Sequence, residues 1–277
     1  AACDVVYIAV DVPTDEAGAS DLRPITQMAK TAMEATSDNA LLVILSQVPP
    51  GFTRKIRCSP DRLYYQVETL IFGRGFERAM APERIILGCA DPDAPLDARL
   101  KMHLEAFGCP ILPMRYESAE LAKISINMCL VASIGVANTM AELCEHVGAD
   151  WSEIIPALRL DRRIGAYSYI SPGLGIAGGN LERDLATVTR LADTHGTDHG
   201  IVDAWLANSR HRKVWAWTAM NSRVLQRQPD ATIAVLGLAY KENTRSTKNS
   251  PSLALLAELK GRTVRVHDPV VSADEAG

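Results

Sequence analysis

No G-x-G-x-x-G turn follows a predicted strand: the one match in the 277 residues, Gly173 to Gly178, lies inside a glycine- and proline-rich loop, so the strand–turn–helix dinucleotide fingerprint is missing from this sequence. There is no C-x-x-C pair and no metal-ligand spacing among Cys3, Cys58, Cys89, Cys109, Cys129 and Cys144. That excludes a zinc ribbon and a dithiol redox motif; most of these cysteines sit in apolar or helical surroundings, which predicts buried thiols in a reducing cytoplasm. No secretory leader pattern opens the chain. A large excess of one charge is also missing: the net charge is −4 and the isoelectric point is near 5.9. A general nucleic-acid binder is thereby excluded. The longest apolar run, residues 124–141, is interrupted by Ser125, Asn127, Ser133, Gly135 and Asn138 and flanked by Lys123 and Glu142, so no membrane span is expected. What remains is ordinary for a globular protein: 47% apolar and 22% charged residues, with length for one large domain or two moderate ones.

Read in order, residues 5–10 (VVYIAV) form a fully buried strand that turns out through Asp11-Val12-Pro13-Thr14. A helical pattern over residues 22–36 and a strand over 40–45 continue a βαβ unit. This is the pattern of the second half of a doubly wound domain, and a fragment of a longer chain is expected. Residues 117–147 carry the longest helical period, apolar nearly all round, which predicts a buried helix joining two lobes and forming a subunit interface. On it, Lys123 and Asn127 lie four apart on one face, and Asn138 returns to that face three turns later. Two readings stand side by side for this pair: a polar site, or a lysine snorkelling at the helix start beside a satisfied asparagine. The helix should stop near Gly148, with Asp150 capping the next.

Residues 161–184 (DRRIGAYSYISPGLGIAGGNLERD) are rich in glycine and proline and cannot be one continuous element. Either this is a surface loop with a helix cap, or a loop whose glycines let backbone approach a ligand at a helix start. Helical patterns follow over 181–195 and 202–224, and a last unit has a strand at 233–237, a helix at 251–259 and a strand at 263–267. His195, His199 and His211 share no helical face with carboxylates at ligand spacing and read as surface residues, with no metal site.

A series of collinear blocks resembles the UDP-glucose/GDP-mannose dehydrogenase family. Val10-Asp11-Val12-Pro13 is similar to its V-x-T-P turn and Ser46-Gln47-Val48-Pro49-Pro50-Gly51 to its S-T-V-P-x-G turn, with Val12 and Gln47 in place of threonines. Glu68, Leu70, Gly73, Pro82, Arg84, Ile85 and Gly88 fit N-P-E-F-L-x-E-G followed by P-[DE]-R-I-x-x-G; Gln66-Val67 and Phe72 depart from it. Lys123 and Asn127 fit K-x-x-x-N. Asp161, Arg163, Ile164, Gly165, Gly175, Gly178 and Asp184 fit the active-site loop, whereas Asn180 stands where the family has its nucleophilic cysteine, and Ala177, Glu182 and Arg183 also differ. The run from Leu236 to Pro251, with Lys241, resembles the opening of the nucleotide-sugar domain, with Ser246 for an aspartate and Lys248 for an arginine.

The resemblance implies an α/β fold: two Rossmann-like doubly wound domains joined by a long central helix, both incomplete in this chain. The expected parts are residues 1–115 of a NAD-binding domain, 116–228 as a central helical and dimerisation domain, and 229–277 opening a UDP-sugar-binding domain. It implies catalytic roles for Lys123, Asn127, Glu68, Asp184 and Asn180. Substrate contacts fall to Arg163, Gly175, Gly178, Leu70 and Lys241, and NAD contacts to Val10, Pro13, Ser46, Gln47 and Lys248. An asparagine amide is neither ionisable nor usefully nucleophilic, so a nucleotide-sugar oxidation that stops after two electrons is expected. The alternative is a non-catalytic paralogue that binds a nucleotide sugar or regulates an active relative. Partners are a nucleotide sugar and a second copy of the chain, without nucleic acid or membrane.

Overall fold

A computed structural model describes residues 3–13, 15, 19–70, 74–272 and 274. Thr14, Phe72 and Gly73 of the motif reading lie outside them. The chain divides into two compact units, residues 1–126 and 127–277.

The first unit is built on a five-stranded sheet in the order β1 (Val5–Ile8), β2 (Leu41–Ile44), β3 (Leu63–Gln66), β4 (Ile85–Cys89) and β5 (Ile111–Arg115). β1, β2 and β3 run parallel, β3 and β4 pair antiparallel, and β4 and β5 are parallel again. The apolar run LLVI does not alternate with polar residues because both its faces are covered. The strand expected to be fully buried over residues 5–10 is shorter and only partly buried, with Ile8 alone buried in VVYI. On one face Ile8, Leu42, Ile44, Tyr65 and Ile86 pack with Ile25 and Ala29 of α1 (Arg23–Ala35). On the other, Leu41, Val43, Ile85 and Leu87 pack with Leu100 and Leu104 of α3 (Ala98–Glu105), whose N-terminal amide at Arg99 is capped by Asp97. A short α2 (Gly75–Met80) precedes β4. The long helix α4 (Tyr116–Val147) begins in this unit, where Tyr116 and Ala119 complete the first core.

The second unit continues from Asn127 in the same helix. Val131 of α4 packs with Ile176, with Leu185 of α6 (Asn180–His195) and with Val202 of α7 (Gly200–Lys213). Ala137 and Cys144 of α4 pack with Ile170 and with Trp151 of α5 (Trp151–Leu160), a helix started by the Asp150 cap on the Ser152 amide. The helix expected over 202–224 is interrupted. Val214 sits at φ −89°, ψ −5°, and α8 (Trp215–Met220) and a π turn (Asn221–Leu225) follow it. A parallel pair, β6 (Ile233–Leu236) and β7 (Val264–His267), with α9 (Pro251–Glu258) between them in sequence, closes the unit around Leu225, Val235 and Leu259.

Three expectations need correction. α4 is not buried all round, since Val136, Met140, Leu143 and Val147 are exposed. Length and composition alone would let α4 cross a bilayer. Its Glu120, Asn127 and Asn138 are nonetheless buried against protein partners, as in an interior helix. His199 does meet carboxylates, at 3.0 Å from Asp203 one helical turn on and 3.1 Å from Asp193. The first is a close approach without an aligned hydrogen bond at Nδ1. Finally, all six cysteines are free thiols, but only Cys89 and Cys144 are buried, and Cys129 is exposed.

Candidate active site

In the first unit the two ligand-side turns leave the carboxyl ends of adjacent parallel strands, the place where doubly wound sheets bind ligands. Ser46 ties them together, its Oγ donating to the Val10 carbonyl at 2.6 Å. Pro13 is fixed by the Asp21 amide, which donates to its carbonyl at 2.8 Å. Gln47 and the buried Val48 follow Ser46, and the chain then bends through Pro49-Pro50-Gly51.

That bend is held by a residue the motifs did not single out. Glu120 of α4 is fully buried, and its two carboxylate oxygens accept from the Gly51 amide at 2.5 Å and the Thr53 amide at 2.8 Å. Burial pushes its carboxyl group above the usual glutamate range, against the opposing pull of those bonds. The available signal was one acid inside an apolar helical stretch, three residues before Lys123.

Lys123, half-buried, donates from Nζ to the backbone carbonyl of Glu68 at 2.7 Å. The Glu68 carboxylate itself turns back onto the amide of Leu70, whose side chain is exposed. Lys123 thus anchors the loop that follows β3, and it is the backbone of Glu68, not its carboxylate, that touches the ammonium.

The second unit holds another polar pair. Asp184, buried on the first turns of α6, accepts from Asn127 Nδ2 at 2.5 Å, with the Arg183 guanidinium 3.6 Å from its other oxygen. A buried carboxylate survives only with such partners. Asn180 opens α6 and is exposed, one turn before Asp184.

The loop leading to Asn180 is pinned at successive points. Trp151 Nε1 donates to the Ile170 carbonyl at 3.0 Å, the Gly173 amide donates to Asn138 Oδ1 at 2.8 Å, and the Ile176 amide donates to Ser209 Oγ at 2.8 Å. Buried Arg212 adds a bond from Nε to the Gly173 carbonyl at 3.3 Å and reaches Glu142 at 3.3 Å. Two glycines are required here. Gly175 has φ +84° and a Cβ there would stand 2.6 Å from the Ser209 carbonyl; Gly178 has φ +80° and lies under the Tyr240 ring. Gly178 is bracketed by the segment after β6: its amide donates to the Lys248 carbonyl at 3.0 Å and its carbonyl accepts from Asn249 at 2.9 Å. The Lys248 side chain lies over Gly179. Glu182 accepts from Lys213 at 3.1 Å and also from Asn249.

The structure therefore brings together Val10 with Ser46, Lys123 with Glu68, Asn127 with Asp184, and Gly178 with Lys248. Arg163 stands apart, exposed and forked onto Asp161 at 2.6 and 3.0 Å. Lys241 lies over the Tyr240 ring, 5.7 Å from its centre. Among the described residues no group of three or more His, Cys, Asp or Glu side chains forms a metal site.

Comparison with known proteins bears on all of these segments. Residues 1–102 match the NAD binding domain of the UDP-glucose/GDP-mannose dehydrogenase family, residues 117–210 its central domain and residues 234–277 its UDP binding domain. UDP-glucose 6-dehydrogenase TuaD of Bacillus subtilis is 29% identical over 280 residues, covering 97% of this chain and 60% of its own length. A UDP-glucose 6-dehydrogenase of Pseudomonas aeruginosa is 29% identical over 293 residues, covering 99% of this chain and 63% of its own. Among solved structures, a UDP-glucose dehydrogenase from Pyrobaculum islandicum superposes with a TM-score of 0.85 at 29% identity, over 99% of this chain and 66% of that one. The chain thus spans less than two thirds of the length of these relatives. With three successive domain models of one family matched in order along it, the chain belongs to the UDP-glucose/GDP-mannose dehydrogenase family.

Proposed function

We propose that the protein is a NAD-dependent oxidoreductase that oxidises an alcohol of a UDP- or GDP-sugar and stops after two electrons. The observation that carries this reading is the buried Asn127–Asp184 pair, both of whose residues lie within the stretch that matches the family's central domain. In this reading residues 1–115 serve the cofactor, 116–228 form the central part, and 229–277 open the nucleotide-sugar part. Its natural setting is the cytoplasm.

The strand-end turns fit one flank of a dinucleotide. Val10 and Pro13 line the turn beside β1, the Ser46 hydroxyl holds the two turns together, and Gln47 follows it past the end of β2. Lys248 is assigned to the cofactor as well. Bound NAD supplies the hydride acceptor. Lys123 favours the substrate oxygen as its proton leaves, and Asn127 and Asp184 orient that oxygen or a water beside it. Glu68 acts on the same proton, and its loop is set by Lys123. Arg163 reaches the substrate of a neighbouring subunit, Lys241 meets the diphosphate, and Gly175, Gly178 and Leu70 shape the sugar pocket.

Asn180 fixes the extent of the reaction. One hydride leaves carbon and one proton leaves oxygen, giving a carbonyl. The neutral amide can donate a hydrogen bond to that carbonyl oxygen, but it cannot add to the carbon. Gln47 and Val12, in place of threonines, favour the second reading, a non-catalytic nucleotide-sugar-binding or regulatory protein. Mixing the full chain with NAD and a panel of UDP- and GDP-sugars, and following NADH absorbance, separates the two. Turnover of at least one sugar is expected; binding of a sugar with no NADH from any would establish the non-catalytic role.

A further inference from the structure

The first unit carries a cleft of about 450 Å³ between α1 and the short 3-10 turn Thr53–Lys55, a size typical of small-molecule sites. Its walls are Ala29 and Met33 on one side and Phe52 and Ile56 on the other. Lys30, Lys55 and Arg57 stand at its rim, all exposed. Lys30 makes a loose exposed pair with Glu34 at 3.8 Å, worth little in water. Lys55 and Arg57 have no ion-pair partner among the described residues. Three cations around one apolar cleft are a local reversal in a chain of net charge −4.

We propose that this cleft binds a single-chain amphiphile with an anionic head, its tail against Met33, Phe52 and Ile56 and its head among Lys30, Lys55 and Arg57. The lining decides the class. Thr26 is the one neutral polar side chain in the lining, so the edges of a nucleobase would be desolvated without partners. A helix and a one-turn 3-10 segment offer no open strand edge, so an extended peptide would lose its backbone bonds. An alkyl tail needs neither. Phe52 lies between Gly51 and Thr53, whose amides Glu120 holds, so the floor of the cleft and the turn after β2 share one stretch of backbone.

The test is calorimetric titration of the full chain with decyl phosphate, decanoate, decanol and inorganic phosphate. The two anionic amphiphiles should saturate one site per chain, decanol should bind about tenfold more weakly, and inorganic phosphate should not bind. The comparison of decyl phosphate with decanoate shows which head is preferred. Replacing Lys55 and Arg57 together by Gln should erase the advantage over decanol while leaving the melting temperature unchanged. Thr26→Trp, which fills the cleft from an exposed position, should abolish binding of all three. The proposal is overturned if neither anionic amphiphile binds, if decanol binds as well as they do, or if Thr26→Trp binds normally. It is also overturned if Thr26→Trp converts a dimer to a monomer in sedimentation, because a second copy would then be the occupant.

Discussion

Glu120 spends its carboxylate on two backbone amides while buried from solvent, and the balance leaves its folded pKa raised by burial. The folded state therefore holds this proton more tightly than the unfolded chain. The stabilisation is present below the ordinary glutamate range near about pH 4.3 and is lost as pH rises through the folded pKa. Wild type should lose stability relative to Glu120→Gln over that rise, read as the difference between the two melting curves against pH; parallel curves would contradict the assignment. Gly175 makes a sharper demand, because any side chain there is strained at φ +84° and strikes the Ser209 carbonyl. Gly175→Ala should cost roughly 2–4 kcal/mol, measured as a shift in denaturant midpoint, whereas an unchanged midpoint would mean the loop relaxes freely. Lys123→Ala should lower turnover on the best substrate by on the order of a hundredfold with the fold intact, and unaltered turnover would remove Lys123 from the chemistry.

α4 is the element on which most of this depends, and its outer side in the second unit, Val136, Met140, Leu143 and Val147, repeats at intervals of four, three and four residues. Such a stripe has the spacing of a helix-pair seam, so the full chain should scatter light as a dimer at micromolar concentration, and Leu143→Arg should shift it toward monomer. A monomeric wild type would sink this. α4 was legible because its period runs unbroken for eight turns or so. β1 and β2 were legible as apolar runs, but only β2 is fully buried between two layers, whereas β1, first in the strand order, is buried only at Ile8. The antiparallel step between β3 and β4 was not, since strand direction depends on the path of the connection and not on the residues of either strand. The break at Val214 also left no mark, because the apolar period continues across it. At the site, glycines and the spacing of Lys123 and Asn127 could be read directly. The role of Glu120 could not, because its partners lie 69 and 67 residues away in sequence. His199 is a plain misjudgement, since Asp203 lies four residues on at helical spacing; only its second carboxylate, Asp193, comes from the preceding helix.

At the scale of the whole molecule, the matched NAD-binding, central and UDP-binding segments follow one another along 277 residues, and each contains part of the proposed chemistry. Cofactor turns, the Lys123–Glu68 bond, the Asn127–Asp184 pair and the Gly178–Lys248 clasp are all present. What the proposed mechanism lacks is a nucleophile at Asn180. An aldehyde released in water hydrates, and its gem-diol is itself a hydride donor, so a second oxidation is chemically open. Without a covalent adduct to hold it, the carbonyl product should leave before that step. Counting NADH against sugar consumed, with the product identified by mass, decides the matter. One NADH per sugar with a carbonyl product is the predicted result; two NADH per sugar with a uronic acid as the sole product would contradict it.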